Sequence, residues 1–253
     1  MKVIALGTGT SQGVPIIGCK CRTCLSGDPR DTRLRSALYV ETTRTKIAID
    51  IGPDFRQQFL TNNLETVDHI LITHEHNDHV IGLDEVRPIN FLQQKSIPIY
   101  AEERVAGEIR KRFHYAFAKH DYPGLPQIQL KEIDNNPFKI EDIQITPIRI
   151  LHGRLPIFGF RLNNLAYITD AKTIDQENLN KLQGLDVLII NALRKEEHYS
   201  HLNLEGCLEY IEKIGPKRAF ITHISHKMGP VEEWSTLLPE NVRPLEDNLT
   251  INL

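Results

Sequence analysis

Thr73-His74-Glu75-His76-Asn77-Asp78-His79 places three imidazoles and the Asp78 carboxylate within the six positions His74–His79, directly after the apolar run Ile70-Leu71-Ile72. A folded core has no use for so many ring nitrogens and carboxylate oxygens, because each would need a hydrogen-bond partner away from water. A divalent cation satisfies several at once. His-x-His puts two imidazoles on the same side of an extended backbone. The Asp-His pair just beyond can turn toward a second metal. An apolar strand that closes on such a cluster reads as a metal site held at the rim of a sheet.

The chain around this cluster has an ordinary globular make-up: 253 residues, 40% hydrophobic and 25% charged. That is enough for one large domain or two small ones. With a net charge of -3 and no long basic run, bulk binding to nucleic acid is not expected, although a local basic pocket remains open. Met1-Lys2-Val3-Ile4-Ala5-Leu6-Gly7 turns to glycine and polar residues too early for a signal peptide. No apolar run approaches the length of a membrane span. The expected setting is therefore cytoplasmic, with no membrane partner.

Three of the four cysteines crowd into Gly18-Cys19-Lys20-Cys21-Arg22-Thr23-Cys24. In a cytosolic chain of this size a disulfide framework is not expected. Cys-x-Cys-x-x-Cys reads instead as three thiolate ligands on a tight loop, with redox chemistry as the alternative. Three thiolates leave a tetrahedral zinc one ligand short. Cys207 lies in an amphipathic pattern, Leu204–Ile211, and reads as a small buried hydrophobe rather than the missing ligand.

Strand-like runs recur at Val3–Leu6, Ala37–Val40, Lys46–Ile49, His69–Ile72, Ile97–Tyr100, Ile143–Ile150, Phe158–Leu162, Ala166–Thr169, Val187–Ile190, Arg218–Ile221 and Leu249–Asn252. Helical patterns intervene at Phe55–Leu60, Leu83–Gln93, Glu102–Phe117, Gln176–Leu182, Leu204–Ile214 and Val231–Leu237. Alternating strands and helices predict a mixed α/β sheet architecture. Five strands close on a residue able to bind or orient a metal: Asp50, His74, His152, Asp170 and His223. In α/β folds such residues gather at one rim of the sheet.

In that order of residues the chain resembles the metallo-β-lactamase superfamily across nearly its whole length. The resemblance implies one domain over residues 1–253, an αββα sandwich of two mixed sheets flanked by helices, with a cysteine loop at about residues 18–25. It implies that His74, His76 and His152 hold one metal, that Asp78, His79 and His223 hold a second, and that Asp170 bridges both. Asp78 counts as a catalytic residue as well as a ligand, and Asp50 orients ligands from behind. The implied cofactors are two catalytic divalent metals, zinc or manganese with iron tolerated. Two such cations acidify a shared water and neutralise oxyanion charge, which suits hydrolysis of phosphodiester and acyl bonds.

Within the superfamily, Gly7–Pro15, the cysteine loop and Thr222-His223-Ile224-Ser225-His226 resemble the phosphoribosyl cyclic phosphodiesterases of phosphonate catabolism. That likeness implies a structural zinc on Cys19, Cys21, Cys24 and His226. It also implies a catalytic role for His201, as general acid or phosphate contact, with His198 as its competitor. The expected activity is hydrolysis of a small phosphate ester, cyclic nucleotide or ribosyl phosphates included. The alternatives are a tRNA 3′-processing endonuclease, an ester, thioester or lactone hydrolase, and a non-catalytic protein of quinone-cofactor biosynthesis. His69, His114 and His120 read as structural or surface residues. The basic stretch Arg110–His120 reads as a lid, a contact within a homodimer or a solvated helix.

Overall fold

The computed structural model describes residues 1–118, 122 and 124–253, so His120 lies outside the described residues. Among the described residues, fourteen strands form two sheets of seven. The first holds β1 (Lys2–Gly7), β2 (Ala37–Glu41), β3 (Lys46–Ile49), β4 (His69–Leu71), β5 (Ile97–Glu102) and β6 (Ile128–Ile133) in sequential order. The second runs, in order, through β7 (Phe138–Ile140), β8 (Ile143–His152), β9 (Leu155–Leu162), β10 (Leu165–Ile168), β11 (Val187–Asn191), β12 (Arg218–Thr222) and β13 (Val242–Pro244). The last strand, β14 (Thr250–Asn252), crosses back to the first sheet and pairs antiparallel with β1. Both sheets are mixed: β3 to β6 pair in parallel, as do β10 to β13, beside antiparallel neighbours.

Strand alternation builds three apolar layers. Val3, Ala5, Ile47, Ile49, Phe158, Phe160, Val187, Ile189 and Phe220 pack between the sheets. Their neighbours point the other way. Ile4, Leu6, Ala48 and Ile70 pack on α1 (Phe55–Thr61), α3 (Arg87–Gln93) and α4 (Glu103–Arg112), while α2 (Asn77–Val80) contributes Val80. Leu188, Ile190, Ala219 and Ile221 pack on α7 (Leu204–Ile214) and on Trp234, buried in α8 (Val231–Trp234). Sheets covered on both faces require strands that are apolar at every position, as Val187–Asn191 is buried throughout. The result is the four-layer αββα sandwich, with helices outside.

Element bounds differ from the sequence reading in a few places. The pattern Leu83–Gln93 is two elements, a 3₁₀ segment Ile81–Val86 and then α3 with Pro88 in its first turn, where its missing N–H is tolerated. The pattern Glu102–Phe117 breaks at buried Phe113, leaving α5 (His114–Phe117) apart from α4. The pattern Val231–Leu237 ends as helix at Trp234 and continues as 3₁₀. Gln176–Leu182 shortens to α6 (Gln176–Asn180), capped by the Asp175 side chain. Three strands were not anticipated: β6, β7 and β13. All lie at or beside sheet edges, where half-exposed, mixed-polarity residues weaken the apolar signal.

The loop carrying the metal motif is seated by backbone contact. A Cβ on Gly82 would lie 2.1 Å from the Gly52 carbonyl oxygen, and one on Gly52 would lie 2.1 Å from that of Asp78. Only glycine allows this approach, in which Ile51 N–H donates to the His79 carbonyl at 2.8 Å. Gly82→Ala is therefore expected to lower unfolding free energy by about 2–4 kcal/mol. In Gly107→Ala, where the added Cβ meets nothing within 4 Å inside α4, a gain of about 0.5–1 kcal/mol is expected. Denaturant titration checks both; equal effects would refute the packing account.

Candidate metal centre

Three strand ends reach the rim through residues in the left-handed region: Asp50 after β3 at φ 64°, Asp170 after β10 at φ 58°, and His223 after β12 at φ 55°. None is glycine, and each such residue costs of order 1 kcal/mol or more. The turn lifts each side chain off the strand and over the rim. Strain gathered at three site residues is the kind that persists only where surrounding structure overrules it.

There the chain brings the expected residues together. Ring nitrogens of His74, His76 and His152 lie within 4.8 Å of one another, and so do ligand atoms of His74, His79 and Asp170, and of His152, Asp170 and His201. Asp170 is the shared member. Its Oδ1 is 3.3 Å from His223 Nε2 and 3.1 Å from His201 Nε2, and its Oδ2 is 3.4 Å from His79 Nε2. Asp78 Oδ2 lies 3.1 Å from the same His79 nitrogen.

Hydrogen bonds from behind decide which nitrogen each ring presents. His79 Nδ1 is 2.7 Å from buried Asp50, whose other oxygen accepts the Thr73 N–H at 2.9 Å. His152 Nδ1–H donates to the Ser200 carbonyl at 2.9 Å. Thr73 Oγ1 donates to Asp50 and accepts from His74 Nδ1 at 3.0 Å. Ser36 Oγ donates to the Gly9 carbonyl and Thr169 Oγ1 to Asp170 Oδ2, so both can accept from His223 Nδ1. The rings of His74, His79, His152 and His223 are thus held with the opposite nitrogen turned toward the other rings and two carboxylates. His74 Nε2 sits 2.9 Å from His76 Nδ1, and His79 Nε2 is buried without a hydrogen-bond partner among the described residues. Lone pairs converging on carboxylates repel one another unless a cation lies between them, so the donor set fits divalent metal.

Ionisation reflects the same crowding. Burial pushes His74 well below the ordinary imidazole range, and burial pushes His223 down to about 4. Burial opposes charge on His79 as well, but the carboxylates of Asp50, Asp78 and Asp170 outweigh it and raise its pKa well above that range. Burial would favour neutral Asp170, yet His223 and His79 hold it well below the usual carboxylate value.

Of the two candidate acids, His201 faces the centre. His198 stands behind it, Nδ1 to Nδ1 at 3.1 Å, and Ser200 Oγ is 3.0 Å from His201 Nδ1. The sequence reading missed Ser36 and the threonine row. A signal existed: Thr73, Thr169 and Thr222 each directly precede a site residue. His114 is exposed on α5, and Cys207 is fully buried in α7.

The cysteine loop closes on His226, in the 3₁₀ turn His226–Met228 that follows β12. Sγ atoms of Cys19, Cys21 and Cys24 lie 3.2, 3.4 and 3.6 Å from His226 Nδ1. A tetrahedral zinc with ordinary bond lengths separates sulfur from nitrogen by about 3.5 Å. Burial would raise the Cys21 thiol, but the Cys24 N–H and the neighbouring thiols and imidazole bring it down to about 6, while burial lifts Cys24 to about 11.

Comparison with known proteins agrees with this architecture. The family described as "Beta-lactamase superfamily domain" matches residues 45–224. An octanoyltransferase of Porphyromonas gingivalis is 42% identical over 98% of the chain, which spans 51% of that protein. A ribonuclease Z of Macrococcus caseolyticus is 30% identical over 64% of the chain and 49% of its own length. The chain thus spans about half the length of these curated relatives. A crystal structure of a diphosphatase from the PhnP family superposes with a TM-score of 0.93 at 35% identity, covering 99% of this chain and 96% of that one. Zinc-bound PqqB from Methylobacterium extorquens superposes at 0.83 with 19% identity over the whole of both chains, a likeness of fold alone.

Cys21→Ala is expected to remove one equivalent of zinc per chain and lower the melting temperature by at least about 5 °C, because a closed zinc site contributes folding free energy. Elemental analysis with a thermal melt measures both, and unchanged zinc content would sink the assignment.

Proposed function

The chain belongs to the beta-lactamase superfamily, and from that footing we propose that it is a dinuclear-metal phosphodiesterase acting on small phosphate esters, cyclic nucleotide or ribosyl phosphates included. The single observation that carries this reading is Asp170, whose two oxygens face His79 on one side and His201 and His223 on the other. In this reading His74, His76 and His152 would hold one cation and Asp78, His79 and His223 another, with Asp170 available to either. Two cations there would acidify water and neutralise charge on phosphate oxygens. The 35% identity with a PhnP-family diphosphatase over almost the full chain supports phosphorus rather than carbon as the reacting centre.

The protein's own groups supply the remainder. Buried Asp50 and Thr73 orient His79 and His74, so these rings reach the reaction without reorganising. His201, protonated at Nε2, gives a proton to the departing alkoxide oxygen, since its Nε2 is the half of the ring turned toward Asp170. His198 and Ser200 contact Nδ1 of that ring and hold its plane. Cys19, Cys21, Cys24 and His226 would hold a structural zinc, which would tie the N-terminal loop to the strand end bearing His223. The chain is read as cytoplasmic; no helix among the described residues is long and apolar enough to cross a membrane.

A second reading, acyl-ester or thioester hydrolysis, is favoured by the 42% identical octanoyltransferase of Porphyromonas gingivalis. Because this chain spans 51% of that protein, the transferase activity need not reside in the matching half. tRNA 3′ processing is supported by the ribonuclease Z relative, and opposed by the net charge of -3 and the lack of a long basic, glycine-rich arm in the sequence.

Manganese- or zinc-loaded protein is expected to hydrolyse bis-(p-nitrophenyl) phosphate and at least one member of a panel of cyclic nucleotides and ribosyl cyclic phosphates. Turnover of octanoyl thioesters with none of these would overturn the reading. His201→Ala is expected to lower kcat on alkoxide-leaving substrates by about 10²–10⁴-fold and much less on p-nitrophenolate, which needs no proton. The reverse pattern, with His198→Ala the more damaging, would exchange their roles.

A further inference from the structure

Glu75 lies between two proposed metal ligands, yet its side chain turns away from them toward α4. There Arg104, in the first turn of the helix, ion-pairs with the Glu75 carboxylate, and Arg112, in its last turn, donates to the Glu75 carbonyl. The same Arg104 guanidinium donates through Nη2 to the Pro156 carbonyl at 2.7 Å. Pro156 is in β9, in register with Leu151, next to the pair His152–Leu155. One side chain therefore touches the loop after β4 that bears His74 and His76 and the strand β9 that pairs with the end of β8 bearing His152.

The contact extends into a chain of charges. Glu102, at the end of β5, lies 3.6 Å from Arg104 and accepts from Arg149 at 2.7 Å. Arg149 is three residues before His152 in β8, its guanidinium carbon 4.0 Å above the Phe158 ring. Side-chain exposures of 15% for Glu75, 34% for Arg104, and 23% for both Glu102 and Arg149 keep these pairs partly out of water. Such a network holds geometry better than isolated surface pairs do.

We infer that Arg104 is a positioning residue: it sets the placement of His74 and His76 relative to His152, and keeps the Glu75 carboxylate neutralised and outside the metal centre. The inference rests on the metal reading above. Its physical basis is that the His74–His76–His152 cluster is drawn from two sheets: the Phe158 N–H donates to the Thr73 carbonyl at 3.1 Å on the near side of His74, and Arg104 supplies the tie on the far side, between Glu75 and Pro156. A carboxylate flanked by two imidazole ligands would, without its cationic partner, swing toward a cation and change the ligand set.

The test counts manganese bound per chain by equilibrium dialysis over a graded range of free metal, for wild type, Arg104→Met, Arg104→Lys and Glu75→Gln. The expected result is one catalytic site weakened by about ten- to a hundredfold in Arg104→Met and in Glu75→Gln, with the other unchanged. Arg104→Lys should recover only part, because an ammonium neutralises Glu75 but cannot also reach Pro156 in a forked geometry. In a His152→Ala background, Arg104→Met should weaken binding no further, whereas beside Asp78→Asn its full effect should remain. Affinities within about twofold of wild type would overturn the inference, as would equal weakening of both sites. Should Arg104→Met fail to fold, the Glu75→Gln result decides by the same criteria. A wild type that binds no manganese or zinc at the catalytic centre would overturn the metal reading itself.

Discussion

Asp170 is a carboxylate buried among imidazoles, and the architecture of the rim follows from keeping it there. An ionised carboxylate at 3% side-chain exposure is tolerable only with several partners, and it has His79, His201 and His223 around it. Those partners come from both sheets: His79 from α2, which follows β4, His201 from the loop before α7, His223 from just past the end of β12. The sandwich must therefore be assembled before the site exists. Conversely, a sandwich that forms without a cation leaves ring nitrogens and carboxylates converging at its edge, so a metal bound there would stabilise the fold.

Support for the rim is layered outward from that carboxylate. Asp50, Thr73, Thr169, Ser36 and the Ser200 carbonyl fix the ring orientations. Behind them, the loop from Thr8 to Ser36 is stitched to the C-terminal part of the chain. Asp31 accepts from the Val231 N–H at 2.9 Å, Arg33 donates to the Leu245 carbonyl at 2.6 Å, and Asp247 accepts from Thr8 and from the Leu34 N–H. The cysteine loop and His226 join the same two segments. His226 is three residues from His223, so whatever holds the one steadies the other.

Much of this was legible in the chain. His74–His79 after an apolar run, and four further strands closing on Asp50, His152, Asp170 and His223, pointed to residues that the structure brings together at one rim, because metal chemistry restricts donor types and strands alternate with period two. The cysteine spacing announced a thiolate cluster one ligand short. Edge strands β6, β7 and β13 escaped notice because their residues are half exposed and carry no continuous apolar run. The helical patterns at Leu83–Gln93 and Glu102–Phe117 were drawn too long, since apolar periodicity persists across a 3₁₀ segment or a buried Phe113 that ends the hydrogen-bond ladder.

By itself, then, the sequence determined a mixed α/β class and the candidate donors, as both depend on residue type and local spacing, while the αββα sandwich was implied by the resemblance to the superfamily. Family resemblance anticipated a shared Asp170 and favoured His201 over His198; only the tertiary structure set Asp170 between His79 and the His201–His223 pair, put His198 behind His201, and drew Glu75 off to Arg104. The left-handed turns at Asp50, Asp170 and His223 belong to the same category. Each depends on where a backbone ends after two sheets have packed, and on which nitrogen of a ring its distant neighbours leave free. No spacing along a chain encodes that, because the partners stand tens of residues away and meet only across the sandwich.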